Sequence, residues 1–282
     1  MNKRKKILFD AHTHLNFEEY SDKEREILAK EIEESNVKYV IDAGDNLSSS
    51  KMGLMNAHRY RWCYAAVGIH PENAKNATTN MLREISEIAT DEKCVAIGEI
   101  GLDFHYGKEY KKEQIELFRK QINLALSMDL PIMIHSRDAD KLTMDILKEE
   151  GAFDKERTDK YESVIGYPDA RVQLHCYSGS SELAMEYVRL GASISIGGPV
   201  TFKNGKKAAS VVRTVPIERL LSETDAPFLA PEPLRGKKNK SQYIEHIVRR
   251  MAVLKGIEYE VAAEILLMNG MRFFGIKDDE EI

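Results

Sequence analysis

The sequence predicts an α/β protein: one domain folded as a (β/α)8 TIM barrel. Three observations carry this. Eight short, β-rich apolar runs alternate with amphipathic stretches. The 282 residues divide into units of roughly 30, matching the roughly 250 residues that one such barrel needs. Histidine, aspartate and glutamate gather directly after the apolar runs, and in a parallel barrel all those strand ends open on one face. A composition of 43% hydrophobic and 31% charged residues suits a globular chain with a sizeable core.

The runs, in order, are Ile7 to Phe9, Val37 to Ile41, Tyr64 to Ile69, Val95 to Ile97, Pro131 to Ile134, Val172 to Leu174, Ala192 to Ile196, and Leu220 with Leu221. Ser21 to Ser35 reads as a helix with Ile27, Leu28 and Ile32 on its apolar face. Glu113 to Met128 reads as a second, with Ile115, Leu117, Phe118, Ile122, Leu124, Ala125 and Leu126 forming its broad apolar face. Such alternation fits parallel strands, which cannot be joined by tight hairpins and need crossovers. Glu149 to Arg171 breaks the rhythm: it is long, charged and weakly periodic. It is expected to be a solvated, partly helical connection on the side of the barrel before the sixth strand, without a catalytic part. Residues 1–276 are read as the barrel and 277–282 as a frayed acidic tail.

Cys63, Cys94 and Cys176 are odd in number and far apart, a poor disulfide framework. The basic start, Met1 to Lys6, leads into an apolar run cut at Asp10 and His12, too short for a secretion signal. No stretch of 18 apolar residues occurs. A cytoplasmic monomer with no membrane partner is therefore expected. The net charge of -5 gives no overall attraction for a polyanion, so nucleic acid would need a local basic patch. Arg235-Gly-Lys-Lys-Asn-Lys, after the last strand, is such a patch.

The chemistry sits at the strand ends. His12 and His14 follow the first run, Glu99 the fourth, His135 the fifth, His175 the sixth and Asp225 the eighth. Two residues apart on extended backbone, His12 and His14 point the same way and can address one metal. Six potential ligands exceed the three protein ligands of a typical mononuclear catalytic zinc site, so two divalent ions (Mg, Mn or Zn) are favoured over one. Glu99 is the candidate bridge, with His12, His14 and Asp225 on one ion and His135 and His175 on the other. Such a centre lowers the pKa of water from about 15.7 toward about 7. Asp225 and Glu99 are the candidate catalytic carboxylates, Asp225 as proton acceptor. His58 and His246 lie away from strand ends and are read as structural.

The motifs Phe9-Asp-Ala-His-Thr-His, Val67-Gly-Ile-His-Pro, Ala96-Ile-Gly-Glu-Ile-Gly-Leu-Asp, Pro131-Ile-Met-Ile-His-Ser-Arg-Asp-Ala, Leu174-His-Cys-Tyr-Ser-Gly and Ser222-Glu-Thr-Asp-Ala-Pro occur in this order. With them the chain resembles TatD-family metal-dependent deoxyribonucleases of the amidohydrolase-like superfamily, over nearly its whole length. The resemblance implies hydrolysis of DNA phosphodiesters, often from a 3′ end, on single strands, with the six ligands above. It also matches His70, His105, Arg137, Glu223 and Arg235 as substrate-binding positions. On their chemistry, His70 could donate to a phosphate, Arg137 and Arg235 could clamp one, and Glu223 could orient a ligand. The chain departs from the family in having Tyr177 where phenylalanine is common and in the longer segment 149–171. The same ligands would also serve a metal-dependent amidohydrolase or esterase such as a D-aminoacyl-tRNA deacylase, since fold alone does not decide function. A carbonyl substrate, however, needs no extended basic groove. A catalytically idle interaction barrel is opposed by the retention of every ligand position.

Overall fold

The structure is a computed structural model that describes residues 6–277. Its eight strands are β1 (Leu8–Thr13), β2 (Val37–Ala43), β3 (Cys63–Val67), β4 (Cys94–Asp103), β5 (Ile132–Arg137), β6 (Val172–Leu174), β7 (Ala192–Ile196) and β8 (Leu220–Ser222). The helices are α1 (Asp22–Glu34), α2 (Leu47–Arg59), α3 (Thr79–Ile88), α4 (Lys111–Ser127), α5 (Asp140–Glu149), α6 (Lys155–Thr158), α7 (Ser181–Leu190), α8 (Lys206–Thr214), α9 (Ile244–Lys255) and α10 (Tyr259–Phe274). Strands pair in sequence order and always parallel, with helices supplying the crossovers. This is the expected barrel. Its seam is closed beyond the regular ladder, where the Asp225 N–H donates to the His12 carbonyl at 2.9 Å and the His14 N–H to the Ala226 carbonyl at 2.8 Å.

Two cores hold it. One lies between the outward faces of the strands and the helix ring, with Val40, Val67, Ile97, Phe118, Leu147 and Ile247 among its members. In the other, Phe9, Ile41, Ala66, Ala96, Met133 and Leu221 come from six different strands, and their side chains can meet only inside the barrel. The end of α10 plugs this interior, Phe274 stacking on Phe9 with centroids 5.7 Å apart. Asp10, fully buried, binds the Thr224 N–H and hydroxyl at 2.8 and 2.6 Å and so ties β1 to the chain after β8.

Several local details differ from expectation. Ser21 and Glu24 form a reciprocal capping box at the start of α1, but the helix turns Arg25, Ala29 and Ile32 inward and leaves Ile27 49% exposed. The reason is polar: the Arg25 guanidinium donates to the Leu15 and Phe17 carbonyls and pins the loop that follows His14. Strand β4 runs six residues past Ile97. Segment 149–171 contains α6 and packs at the amino-terminal end of the barrel, where buried Arg157 donates to the Ala170 and Leu130 carbonyls. Of the acidic tail only Lys277 is described; Asp278 to Ile282 lie outside the described residues.

Gly270 lets α10 lie on Phe9, since a Cβ there would stand 2.5 Å from the ring. Gly270→Ala is expected to lower unfolding free energy by about 1–3 kcal/mol through overpacking, read as the shift in a urea denaturation midpoint. An unchanged midpoint would contradict this close approach.

Candidate metal centre

The structure gathers His12, His14, Glu99, His135, His175 and Asp225 at the carboxyl-terminal end of the barrel, with His70 beside them. Glu99 stands at the centre, 4% exposed. Its Oε2 faces His12 Nε2 at 3.4 Å and His14 Nε2 at 4.0 Å. Its Oε1 faces His135 Nδ1 at 2.8 Å, His175 Nε2 at 3.2 Å and His70 Nε2 at 3.7 Å. Asp225 Oδ1 completes the first group, 3.4 Å from His14 Nε2 and 3.7 Å from His12 Nε2. Three overlapping triads have donor atoms close enough for one ion each: His12, Glu99 and His175; His12, His14 and Asp225; His70, Glu99 and His135.

The orientation of these groups fits a cation. His14 Nδ1 donates to the Ala43 carbonyl at 2.8 Å, which turns Nε2 toward the cluster. His12 Nε2 and His14 Nε2 approach to 3.1 Å, two nitrogens aimed at one point. Burial, with the neighbouring His175, keeps His12 neutral. Burial also opposes charge on His14, but Asp225, Glu99 and Asp45 outweigh it and raise its pKa to about 9. Glu99 is held ionised: burial alone would raise its pKa, yet His175, His70 and His12 bring it well below the carboxylate range. The pocket thus favours positive charge among imidazoles and carboxylates, a donor set suited to zinc, manganese or magnesium.

The pattern of proteins described as TatD related DNase matches residues 9–275. The chain belongs to the TatD family. It is 41% identical over 270 residues to the uncharacterized metal-dependent hydrolase YabD of Bacillus subtilis, covering 96% of this chain and all of that one. It is 27% identical to a protein of Erwinia amylovora named 3′-5′ ssDNA/RNA exonuclease TatD, over 95% of this chain and all of the other. The solved structure of the TatD homologue YjjV of Escherichia coli superposes with a TM-score of 0.85 at 27% identity, covering 96% and 99% of the two chains. The protein is a TatD-family metal-dependent hydrolase, and no helix among the described residues is long and apolar enough to cross a membrane.

In this TatD-family chain the remaining expected residues divide by depth. His70 lies inside the cluster. Its Nδ1 accepts the Glu72 N–H at 3.2 Å, leaving the Nε2 proton directed inward, and burial with His135 lowers its pKa to about 3. Glu223, which the resemblance matched to substrate, is fully buried behind His175. Its Oε1 stands 3.1 Å from His175 Nδ1 and receives the Cys176 N–H, while Oε2 receives the Ser195 hydroxyl. That position backs the His175 imidazole and is closed to substrate. His105, Arg137 and Arg235 are exposed on loops or strand ends at the mouth, outside the cluster. His105 Nδ1 lies 3.1 Å from Asp138 Oδ2, and the guanidinium groups of Arg137 and Arg235 lie over Tyr106 and Phe202. The Asn239 amide, in the basic run after Arg235, clamps the Thr224 and Phe228 carbonyls.

Asp103 was missed. Its Oδ2 stands 3.1 Å from His135 Nε2, and its Oδ1 accepts the His105 and Tyr106 N–H groups. The strand-end rule would have found it had the fourth strand been carried to its true end. Asp42 was also missed. It anchors the loop after His14 by accepting the Asn16 N–H at 3.0 Å and the Asn56 amide at 2.8 Å.

Two outcomes follow. Glu223→Gln should weaken divalent-metal affinity about 10- to 100-fold, as loss of a charge that orients a histidine ligand does; chelator competition measures it, and unchanged affinity would refute the role. Burial raises the Asp42 pKa to about 6, with the Asn56 and Asn16 bonds only partly opposing. The native state therefore holds this proton more tightly than the unfolded chain, so its contribution to stability falls as pH rises from about 4 to 6 and is constant above. The wild type minus Asp42→Asn difference in unfolding free energy should fall over that range by up to roughly 3 kcal/mol. A flat difference in urea titrations would show the carboxyl to be unshifted.

Proposed function

We propose that this protein is a phosphodiesterase that degrades nucleic acid, preferring DNA with a free single-stranded 3′ end and removing nucleotides exonucleolytically. The observation that carries this reading is the carboxylate of Glu99 lying between two imidazole groups, one facing each oxygen. That arrangement suits a two-ion clamp on the attacking and leaving oxygens of an in-line displacement. In this reading His12, His14 and Asp225 would hold one ion, His135 and His175 the other, with Glu99 available to both. When bound, the ions supply Lewis acidity that makes water a nucleophile near neutral pH and offsets charge on the phosphoryl group. The Erwinia relative's name, 3′-5′ ssDNA/RNA exonuclease, supports the substrate class and polarity.

The chain's own groups take the other parts. Asp225, whose side chain keeps 13% of its surface exposed beside His14, accepts the proton of the attacking water. His70 Nε2 donates to a phosphoryl oxygen. Arg137 and Arg235, on opposite sides of the mouth, hold the flanking phosphates, where guanidinium offers bidentate contact that lysine does not. Lys237 and Lys238 extend the positive rim beside Arg235 and add a salt-sensitive share of binding.

End-labelled single-stranded DNA, incubated with chelated enzyme to which Mg, Mn or Zn is restored, should shorten from one end. Glu99→Ala and Asp225→Ala should each lose at least about a hundredfold in rate, the order of magnitude attached to a single electrostatic group in such sites. Folded, metal-loaded protein that cleaves no nucleic acid would move the reaction to ester or amide hydrolysis.

A further inference from the structure

Among the large apolar side chains that the described residues leave exposed, only two are aromatic, Tyr106 at 61% and Phe228 at 47%. The others lie elsewhere, apart from Leu229 next to Phe228: Ile27, Met55, Val253, Val261 and Met268 on outer helix faces, and Ile165 in segment 149–171 at the far end of the barrel. Tyr106 follows β4 and Phe228 follows β8, so both stand at the mouth. Strand order puts the β4–β5 edge across the barrel from the β8–β1 edge. The two rings therefore flank the Glu99 cluster from opposite sides.

Both are held. The Phe228 N–H donates to the Asp225 carbonyl at 2.8 Å, its own carbonyl receives the Asn239 amide, and its ring meets the edge of Phe17 at 5.6 Å and His14 at 6.0 Å. The Tyr106 N–H is bound by Asp103, and its ring packs edge-on to His105 at 4.7 Å with the Arg137 guanidinium 4.6 Å from its centroid. Each ring is a solvent-facing plane held by its neighbours, and Tyr106 also stands beside the Arg137 cation; aromatic planes of this kind take unpaired bases while cations track the phosphates.

Resting on the nucleic-acid reading above, we propose that Phe228 and Tyr106 are stacking platforms for the two nucleobases on either side of the scissile phosphodiester, and that they set the preference for single strands. A base in a duplex already stacks on its neighbours on the same strand, so two opposed platforms require both bases to be splayed. Every base offers a π-face, so the selection is for strandedness and not for sequence.

The test uses full-length, metal-loaded protein and three single-stranded oligonucleotides: intact, abasic at the terminal nucleotide and abasic at the penultimate one. On the intact strand Phe228→Ala and Tyr106→Ala should each raise KM on the order of tenfold, the size of effect that one lost base–aromatic contact produces, with kcat less affected. The penalty of each variant should vanish on one abasic strand, a different strand for each, and Phe228→Trp should bind the intact strand as wild type does. Each comparison sets substrates against one another on the same variant, so an altered metal content cancels. Penalties of equal size on intact and abasic strands, or none, would overturn the platforms while leaving the nuclease standing. Wild-type protein that cleaves no nucleic acid would remove the nuclease reading and this inference together.

Discussion

The seam between the first and last strands is the constraint on which the rest depends. Regular pairing links β1 through to β8 in order, and what joins the ends is a short series of bonds from the residues that also build the cluster. The His12 carbonyl accepts the Asp225 N–H, the His14 N–H goes to the Ala226 carbonyl, and Asp10 accepts both the N–H and the hydroxyl of Thr224. The bonds that close the barrel thus come from the same residues that place His12, His14 and Asp225 together. Asp225 takes a left-handed backbone conformation there, φ 56°, a cost tolerated because its N–H and side chain are both held by the histidine strand.

A buried set of imidazoles and carboxylates is costly unless its charges are balanced. Glu99 and Asp225 meet His12, His14, His135 and His175 directly, while Asp103 and Glu223 press from outside on His135 and His175. Negative charge is therefore supplied in two layers around the converging imidazoles. Burial opposes charge on His14 and His135, yet the carboxylates raise both to about 9, so positive charge on these imidazoles offsets part of the negative charge. Divalent ions would do so more completely, while binding would require those protons to leave.

Much of this was legible because a parallel barrel converts sequence order into position. Eight apolar runs announced eight strands, and a polar residue directly after a run is necessarily at the mouth, which is why the six candidate ligands could be singled out and are found together. What the sequence hid depends on side-chain direction and on where a strand stops. Glu223 sits two residues before Asp225, yet it turns into the barrel wall toward His175. Asp103 lay beyond the end of the apolar run at Ile97, where the strand was expected to stop. Gly101 instead lets β4 pass β5 at close quarters, where a Cβ would strike the His135 carbonyl, and the strand continues. Ile27 faces water because the interior side of α1 is claimed by Arg25, and no apolar periodicity reports a buried arginine.

The two ends of the barrel answer to different demands, and this explains where polar groups are buried. At the amino-terminal end Arg157 and Arg219 spend their donors on loop carbonyls of Leu130, Tyr167, Pro168 and Ala170, with α10 plugging the interior on Phe9. These contacts tie the turns of that end together, and segment 149–171 packs there, away from the mouth. At the carboxyl-terminal end the buried polar groups converge on Glu99, and backbone groups hold side chains in place, as Ala43 holds His14. β4 spans both regimes in one strand: Val95 and Ala96 pack inside the barrel, while Glu99 and Asp103 serve the centre. That continuity makes the position of Glu99 a property of the whole barrel, since no loop intervenes between the carboxylate and the packed interior that fixes it.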